Sequence, residues 1–151
     1  MRQGAHLSQV PARTDWATPW PLFRELDAEF HFTLDVCATP ENAKCQRFFT
    51  PEDDGLTESW GREVCWMNPP FGRFIEKWIQ KAYYASLGGA TVVALVPSRT
   101  CTWWWHNYAE KASERRFIRG RIKFEGAEHN APFPCAIVVF RPAGVPETRR
   151  G

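Results

Sequence analysis

The sequence predicts an α/β domain in which helices cover a central sheet. Short β-favouring runs alternate with segments of helical periodicity, which is typical of α/β folds. Residues 91–96 form a continuous apolar run, as expected for a strand that is buried on both faces. The last two β-favouring runs are joined by a loop that contains Gly and Pro, and they predict a late antiparallel strand pair.

The first predicted helix covers residues 19–30. Thr18 is a suitable N-cap, Pro19 suits the first helical position, and apolar side chains recur after it at helical spacing. A second helix is predicted over residues 73–87, because Gly88 is a typical C-terminal stop. The remaining predicted elements are strands at 32–36, 64–67, 91–96, 121–124 and 135–140, a brief helix at 40–47 and a helix at 102–114.

Length and composition favour one globular domain. The chain has 151 residues, of which 44% are hydrophobic and 24% are charged, so a single packed core is expected. The pattern predicts a flexible arm at 1–14, one domain at 15–142 and a flexible basic tail at 143–151. The longest apolar stretch, residues 90–97, is far shorter than the roughly 20 residues that cross a bilayer, and no secretory signal is evident. Membrane and secreted classes are therefore not expected.

Cysteine spacing points to reduced thiols. The five cysteines are widely spaced, and no Cys-x-x-Cys pair occurs among them. This pattern predicts neither a zinc site nor a disulfide framework. We expect buried, reduced thiols and no metal.

Charge is distributed unevenly along the chain. Residues 1–75 carry 7 Lys and Arg against 11 Asp and Glu, whereas residues 76–151 carry 12 against 6. The densest basic block, residues 111–123, favours a phosphate-bearing polyanion as partner, because neutralising phosphates releases counterions. A solvated helix face gives the same pattern, so charge alone leaves both interpretations open.

Three consecutive tryptophans, residues 103–105, precede that block. Successive helix residues point about 100° apart, so the three rings cannot share one face and at least one is expected to be exposed. An exposed ring near Arg99 could stack on a base or form a dimer contact. The candidate nucleic-acid-binding residues are Arg99, Trp104, Arg115, Arg119, Arg121 and Lys123.

The strongest signal for chemistry is the run Asn68-Pro69-Pro70-Phe71 at the end of a predicted strand. Pro70 restricts Pro69 to an extended conformation, and neither proline has a backbone N–H. The run therefore presents a rigid row of acceptors, namely the Asn68 side-chain carbonyl and the backbone carbonyls. Such acceptors suit a ligand with an NH₂ group, on whose flat face Phe71 can stack. A plain proline-rich turn with a core phenylalanine is the alternative.

Other polar residues are expected near this run. The stretch 35–38 ends the first predicted strand, and ligands of open α/β sheets bind at the carboxyl ends of strands. Two strand ends would then face one crevice. Asp53 and Asp54 supply carboxylates from the segment between the two strands, and the predicted helix N-terminus at Thr18 is a natural seat for a ligand carboxylate.

In their order, these motifs resemble an S-adenosylmethionine-dependent amino-methyltransferase, and more closely the phage-encoded DNA N-6-adenine methyltransferase (Dam-like) family. The resemblance covers roughly residues 15–142. Asn-Pro-Pro-Phe alone also occurs in methyltransferases that act on protein glutamine or other amines, whereas the motifs together are fairly specific. The stretches that carry the resemblance are Thr18-Pro19, Leu34 to Ala38, Phe49 to Leu56, Met67 to Gly72 and Gly120 to Phe124.

The resemblance implies a compact Rossmann-like methyltransferase sheet with helices on both faces and a late antiparallel strand pair. The implied activity is transfer of the methyl group of S-adenosylmethionine to the exocyclic amine of an adenine flipped out of double-stranded DNA. The implied setting is the cytoplasm of a bacterial host, with the protein encoded by a phage or prophage and a homodimer as one option. The alternatives are cytosine N-4 methylation and a non-catalytic nucleic-acid-binding protein on a degenerate methyltransferase scaffold.

The resemblance also implies roles for individual residues. Thr18 and Pro19 would line the methionine end of the cofactor, and Asp54 would accept a hydrogen bond from its adenine amino group. Asn68 and the carbonyl of Pro69 would hold the substrate NH₂. The implied cofactor-binding residues are Thr18, Pro19, Asp35, Cys37, Ala38 and Asp54, and the implied catalytic residues are Asn68, Pro69, Pro70 and Phe71, the last stacking on the flipped base.

The chain departs from the usual methyltransferase pattern in its cofactor region. Residues 38–42 replace the usual glycine-rich loop, and only 18 residues separate Asp35 from Asp54. That separation is too short for a helix, a strand and an acidic ribose-binding position. No separate target-recognition domain fits in 151 residues, so sequence specificity is expected to be weak or to come from a dimer or a partner.

Overall fold

The computed structural model describes residues 16–72 and 74–143, which form a mixed α/β fold. The predicted arm at 1–14 and the tail from residue 144 onward lie outside the described residues. The helices are α1 (Trp20–Phe30), α2 (Ile75–Leu87) and α3 (Trp103–Asn107), with a 3-10 turn at Ala109–Lys111, and the strands are β1 (Leu34–Asp35), β2 (Val64–Met67), β3 (Thr91–Pro97), β4 (Glu114–Phe117) and β5 (Cys135–Phe140).

The five strands form one mixed sheet in the order β1-β2-β3-β5-β4. The first three strands are parallel, with Leu34 opposite Cys65 and Met67 opposite Ala94. β5 runs antiparallel to both β3 and β4, so the sheet does end in an antiparallel pair, but its members are not the predicted segments 121–124 and 135–140. The described part of the chain contains no helix that is long and apolar enough to cross a membrane.

A helix packs on each face of the sheet, as the apolar patterns predict. Because side chains alternate along a strand, neighbouring residues of β3 belong to different clusters. Val93 packs on the face that α1 covers with Phe23, and Val92 packs on the face that α2 covers with Ile79. The sheet is therefore buried on both sides, which explains the continuous apolar run of β3.

The predicted helix at 102–114 ends early, at Asn107, and residues 114–117 form β4 instead. Arg116 in β4 forms an ion pair with Glu29 of α1 at 2.7 Å and another with Glu114. Arg141 also pairs with Glu114, at 3.1 Å. The pairs of Arg116 with Glu29 and of Arg141 with Glu114 are long-range, and together with the pairing of β4 on β5 they hold the segment at the sheet edge despite its helical pattern.

The partner of β5 is therefore β4 and not the predicted strand at 121–124. In that segment the chain makes only an isolated bridge, between Ala17 and Glu125, within the described residues. The predicted brief helix at 40–47 is also wrong. The backbone N–H of Lys44 donates to the Asp35 carboxylate, and the N–H of Asp35 donates to the carbonyl of Arg47, so the segment is held as a loop against β1.

The five cysteines, all of them described, form no disulfide. Burial raises the pKa of the Cys65 thiol to about 12 and that of Cys135 to about 11. These two thiols are buried, as predicted, whereas Cys37 and Cys45 are partly buried and Cys101 is exposed, so the expectation of buried thiols holds for two of the five.

Four strands end at the same edge of the sheet, which we call the carboxyl edge. β1, β2 and β3 are parallel, and β4 shares their direction because it is also antiparallel to β5. The segments that follow these strands therefore meet at this edge. They include the loop after β1, the Asn-Pro-Pro-Phe run, Arg99 and the loop 118–134.

Candidate active site

A cavity of about 250 Å³ lies at the carboxyl ends of β1 and β2. It is where open α/β sheets bind ligands. Pro19, Pro69 and Phe71 are not part of its lining. Seven of the site residues predicted from sequence line it, namely Thr18, Asp35, Cys37, Ala38, Asp54, Asn68 and Pro70. Other lining residues lie outside the motifs, among them Trp16, Lys44, Trp66 and Trp78.

The side-chain amide of Asn68 is held in one orientation. Its Nδ2 donates to the carbonyl oxygen of Trp16 at 2.8 Å and to the hydroxyl of Thr18 at 3.0 Å. Because a backbone carbonyl only accepts, the nitrogen has to face Trp16, and the oxygen Oδ1 is the atom turned away from these two partners. Asn68 lines the cavity, and its carbonyl oxygen is not the atom that binds Trp16 and Thr18.

Thr18 accepts this hydrogen bond from Asn68 and does not cap α1. Its side chain is buried, at 1% exposure, and its hydroxyl accepts from Asn68. The N-cap of α1 is Pro19, without a side-chain cap hydrogen bond, and the Pro19 carbonyl accepts from the N–H of Phe23. The predicted cap at Thr18 is therefore wrong, because its hydroxyl points to the end of β2.

Asp35 organises the loop that follows β1. Its carboxylate accepts the backbone N–H groups of Cys37 at 3.3 Å and Lys44 at 3.0 Å, and the residue is 2% exposed. Burial raises the pKa of Asp35 from 3.8 to about 6, although both hydrogen bonds oppose that rise. The carboxyl group shapes the cavity wall, but its ionisation at neutral pH lowers the stability of the folded protein.

The turn at Asp54 depends on the glycine that follows it. A Cβ at Gly55 would lie 2.2 Å from the carbonyl oxygen of Val36, so only glycine lets the two loops approach this closely. Asp54 adopts a left-handed conformation with φ of 57°. Its Oδ1 accepts the N–H of Leu56 at 3.2 Å, and the residue is exposed at the cavity.

Phe71 belongs to a group of aromatic rings beside Asn68. Its ring packs edge-on against Phe124 and Phe133, with centroid distances of 5.8 and 5.7 Å. Trp16, whose carbonyl holds Asn68, packs on the same two rings at 5.2 and 6.3 Å. We call Trp16, Phe71, Phe124 and Phe133 the aromatic wall. No motif marks Trp16 or Phe133, because both reach the wall through long-range packing.

Part of the predicted basic block lies beside the aromatic wall. The Arg99 guanidinium lies 5.5 Å from the centroid of Phe133. Burial raises the pKa of Cys135 and the charges of Arg121 and Arg99 oppose that rise, which places both cations near the start of β5. Arg119, Arg121 and Lys123 are exposed in the loop 118–134 at the carboxyl edge.

Two of the predicted nucleic-acid contacts are placed differently. Trp104 is 5% exposed and lies in the core, so it cannot stack on a base, whereas Trp103 is 57% exposed. Arg115 donates from Nη1 to the backbone carbonyls of Ala109, Glu110 and Ala112 and so closes the 3-10 turn. The assignment of Trp104 is therefore corrected, and Arg115 has a structural partner set within the chain.

The fold and the cavity define a mixed α/β protein with a ligand site at the ends of parallel strands. A profile described as DNA N-6-adenine-methyltransferase (Dam) matches residues 6–145. The chain is 34% identical over 136 residues to the DNA N-6-adenine-methyltransferase of Haemophilus phage HP1 (strain HP1c1), an alignment that covers 84% of this chain and 78% of that protein. It is 28% identical over 112 residues to the DNA N-6-adenine-methyltransferase of Escherichia phage T1, covering 71% of this chain and 45% of that protein. The chain therefore belongs to the DNA N-6-adenine-methyltransferase (Dam) family, which confirms the resemblance.

The buried Asp35 carboxyl predicts a pH dependence of stability. Its folded pKa of about 6 lies above the ordinary value of 3.8. The free energy of unfolding therefore falls as the pH rises between these two values, and the whole loss is present above them. In Asp35→Asn this titration is absent. From about pH 3.5 to pH 7, the free energy of unfolding of the wild type should fall by about 2–3 kcal/mol relative to that of the variant. Urea unfolding at both pH values checks this, and a difference that stays constant with pH would contradict it.

Proposed function

We propose that this chain is an S-adenosylmethionine-dependent DNA methyltransferase that modifies the exocyclic N6 amine of adenine. The orientation of Asn68 carries this proposal, since Asn68 lines a cavity at the ends of two parallel strands and its carbonyl oxygen is turned away from Trp16 and Thr18, the two partners of its amide nitrogen. Family membership supports the choice of adenine over cytosine, because the relatives are named as N-6-adenine enzymes. The intact Asn-Pro-Pro-Phe run favours an enzyme over a non-catalytic scaffold.

The chemistry of the cavity fits the cofactor. A carboxylate at Asp54 can accept from the cofactor adenine amino group, and the aromatic rings of the lining suit an adenosine. Asp35, Cys37 and Ala38 would form the binding loop, with Thr18 and Pro19 at the methionine end. When bound, S-adenosylmethionine supplies a methyl group on a positively charged sulfur. The parallel strands and the late antiparallel pair support a Rossmann-like methyltransferase fold.

Asn68 and Pro69 prepare the substrate amine. An aromatic amine is a weak nucleophile because its lone pair is delocalised into the ring. Two acceptors, Oδ1 of Asn68 and the carbonyl of Pro69, would bind both hydrogens and favour a pyramidal nitrogen. They also stabilise the positive charge that develops on that nitrogen, a combination of orientation and electrostatics.

The substrate base has to leave the duplex to reach these acceptors. Flipping costs a few kcal/mol, which stacking on Phe71 of the aromatic wall would partly offset. Arg99 and the exposed cations Arg119, Arg121 and Lys123 lie on the same carboxyl edge and would bind the phosphates of the surrounding DNA. As a phage or prophage product, the enzyme would act on DNA in the bacterial cytoplasm.

Removing the acceptor carbonyl tests the role of Asn68. In Asn68→Ala, kcat for methyl transfer to DNA should fall by about 10²- to 10³-fold, because one group that stabilises developing charge is lost. Thr18→Val removes only one partner of the Asn68 amide and should lower kcat by about tenfold at most. Binding of S-adenosylhomocysteine, measured by titration calorimetry, should be largely kept in Asn68→Ala. Equal losses of transfer and of cofactor binding in Asn68→Ala would contradict the assigned role.

Replacing cations of the carboxyl edge with neutral residues tests whether this edge binds DNA. Arg99→Gln and Arg121→Gln should each weaken binding to a labelled duplex and reduce the slope of log K against log salt by about 1. Arg62→Gln is the matched control, because Arg62 is exposed but precedes β2 at the opposite edge of the sheet. Fluorescence anisotropy between about 50 and 200 mM salt measures both quantities. If the three variants have the same slope of log K against log salt, the carboxyl edge is not the surface that binds DNA.

A further inference from the structure

Lys44 is a lining residue of the cavity that none of the sequence motifs indicates, and its ammonium lies at Trp20, just outside the lining. It lines the cavity with Asp35 and Asp54, and among the described lining residues it is the only Lys or Arg. Its ammonium lies 4.1 Å from the ring centroid of Trp20, the first residue of α1. This distance is well within the range of a cation–π contact, which holds the charge without neutralising it.

No carboxylate is paired with this ammonium. Within the described residues, Lys44 forms no salt bridge, and both oxygens of Asp35 already accept backbone N–H groups. Burial lowers the pKa of Lys44, while the charges of Asp35 and Glu125 oppose that shift. A partly buried cation that is not paired with an anion is costly, and a ligand anion would remove that cost.

The loop backbone fixes where the Lys44 side chain begins. The N–H of Lys44 donates to Asp35 at 3.0 Å, and the preceding turn is closed by Asn42, whose Oδ1 accepts the N–H of Thr39 at 2.7 Å. The side chain thus starts from a rigid point of the cavity wall and ends against Trp20. Such preorganisation is expected of a residue that binds a ligand group.

We propose that Lys44 binds the carboxylate at the amino-acid end of the cofactor and that Trp20 holds its ammonium in place. The inference rests on the proposed function, because it assumes that the cavity takes S-adenosylmethionine. It follows from the charges of the cavity, since the amino-acid end carries the one carboxylate of that molecule. The position of Trp20, two residues after Thr18, agrees with the methionine end that the resemblance implies there.

A pair of ligands that differ in the amino-acid end tests this inference. S-adenosylhomocysteine carries the carboxylate, and 5′-methylthioadenosine lacks the whole amino-acid group. In Lys44→Met, the Kd for S-adenosylhomocysteine should rise about tenfold or more, as expected for the loss of a charge-assisted contact, while the Kd for 5′-methylthioadenosine stays within about twofold. Titration calorimetry on the full chain gives both constants.

Two further variants show whether the effect depends on the position and on the charge of Lys44. Lys81→Met is the matched control, because Lys81 also lies over a ring, at 5.5 Å from Trp60, but lies outside this cavity, and it should bind both ligands like the wild type. Lys44→Arg keeps the charge and should retain most of the binding of S-adenosylhomocysteine. A parallel loss of both ligands in Lys44→Met and Lys44→Arg, or no loss in either, overturns the inference. Failure of the wild type to bind either ligand overturns the proposed function itself.

Discussion

The hydrogen bonds of the Asn68 amide connect the end of β2 to the segment before α1, and the rest of the candidate site depends on this connection. Trp16 and Thr18 both accept from Nδ2, which turns Oδ1 away from them and closes one side of the cavity. The same contact brings the Trp16 ring onto Phe133 and so completes the aromatic wall. One amide therefore sets the orientation of its own carbonyl oxygen and holds Trp16 and Thr18 against the end of β2.

A second constraint acts on the other strand. Asp35 is buried, and its carboxylate accepts two backbone N–H groups of the loop that supplies Lys44. Ionising this group costs stability, as its raised pKa indicates, so the fold accepts a penalty in order to shape the loop. In this family member a compact loop, and not a glycine-rich one, forms the wall of the cavity.

The local motifs predicted those parts of the site that depend on short-range geometry. The proline pair ends β2 for reasons visible in the sequence, and the cavity lies at the strand ends that the motifs indicate. Lys44 and Trp16 were not predictable, because they join the site only through loop closure and long-range packing. For the same reason the helical pattern of 102–114 failed, since ion pairs of Arg116 with distant residues hold part of it as a strand.

Methyl transfer to DNA is the most direct test of the account. The purified full chain, labelled S-adenosylmethionine and unmethylated duplex DNA would be incubated, and the DNA would be digested and its nucleosides identified by mass spectrometry. The account predicts label in N6-methyladenine. Label in N4-methylcytosine would keep the acceptor chemistry but contradict the assigned base. The absence of transfer to any DNA, together with the absence of cofactor binding, would contradict the enzymatic function and favour a nucleic-acid-binding role for the scaffold.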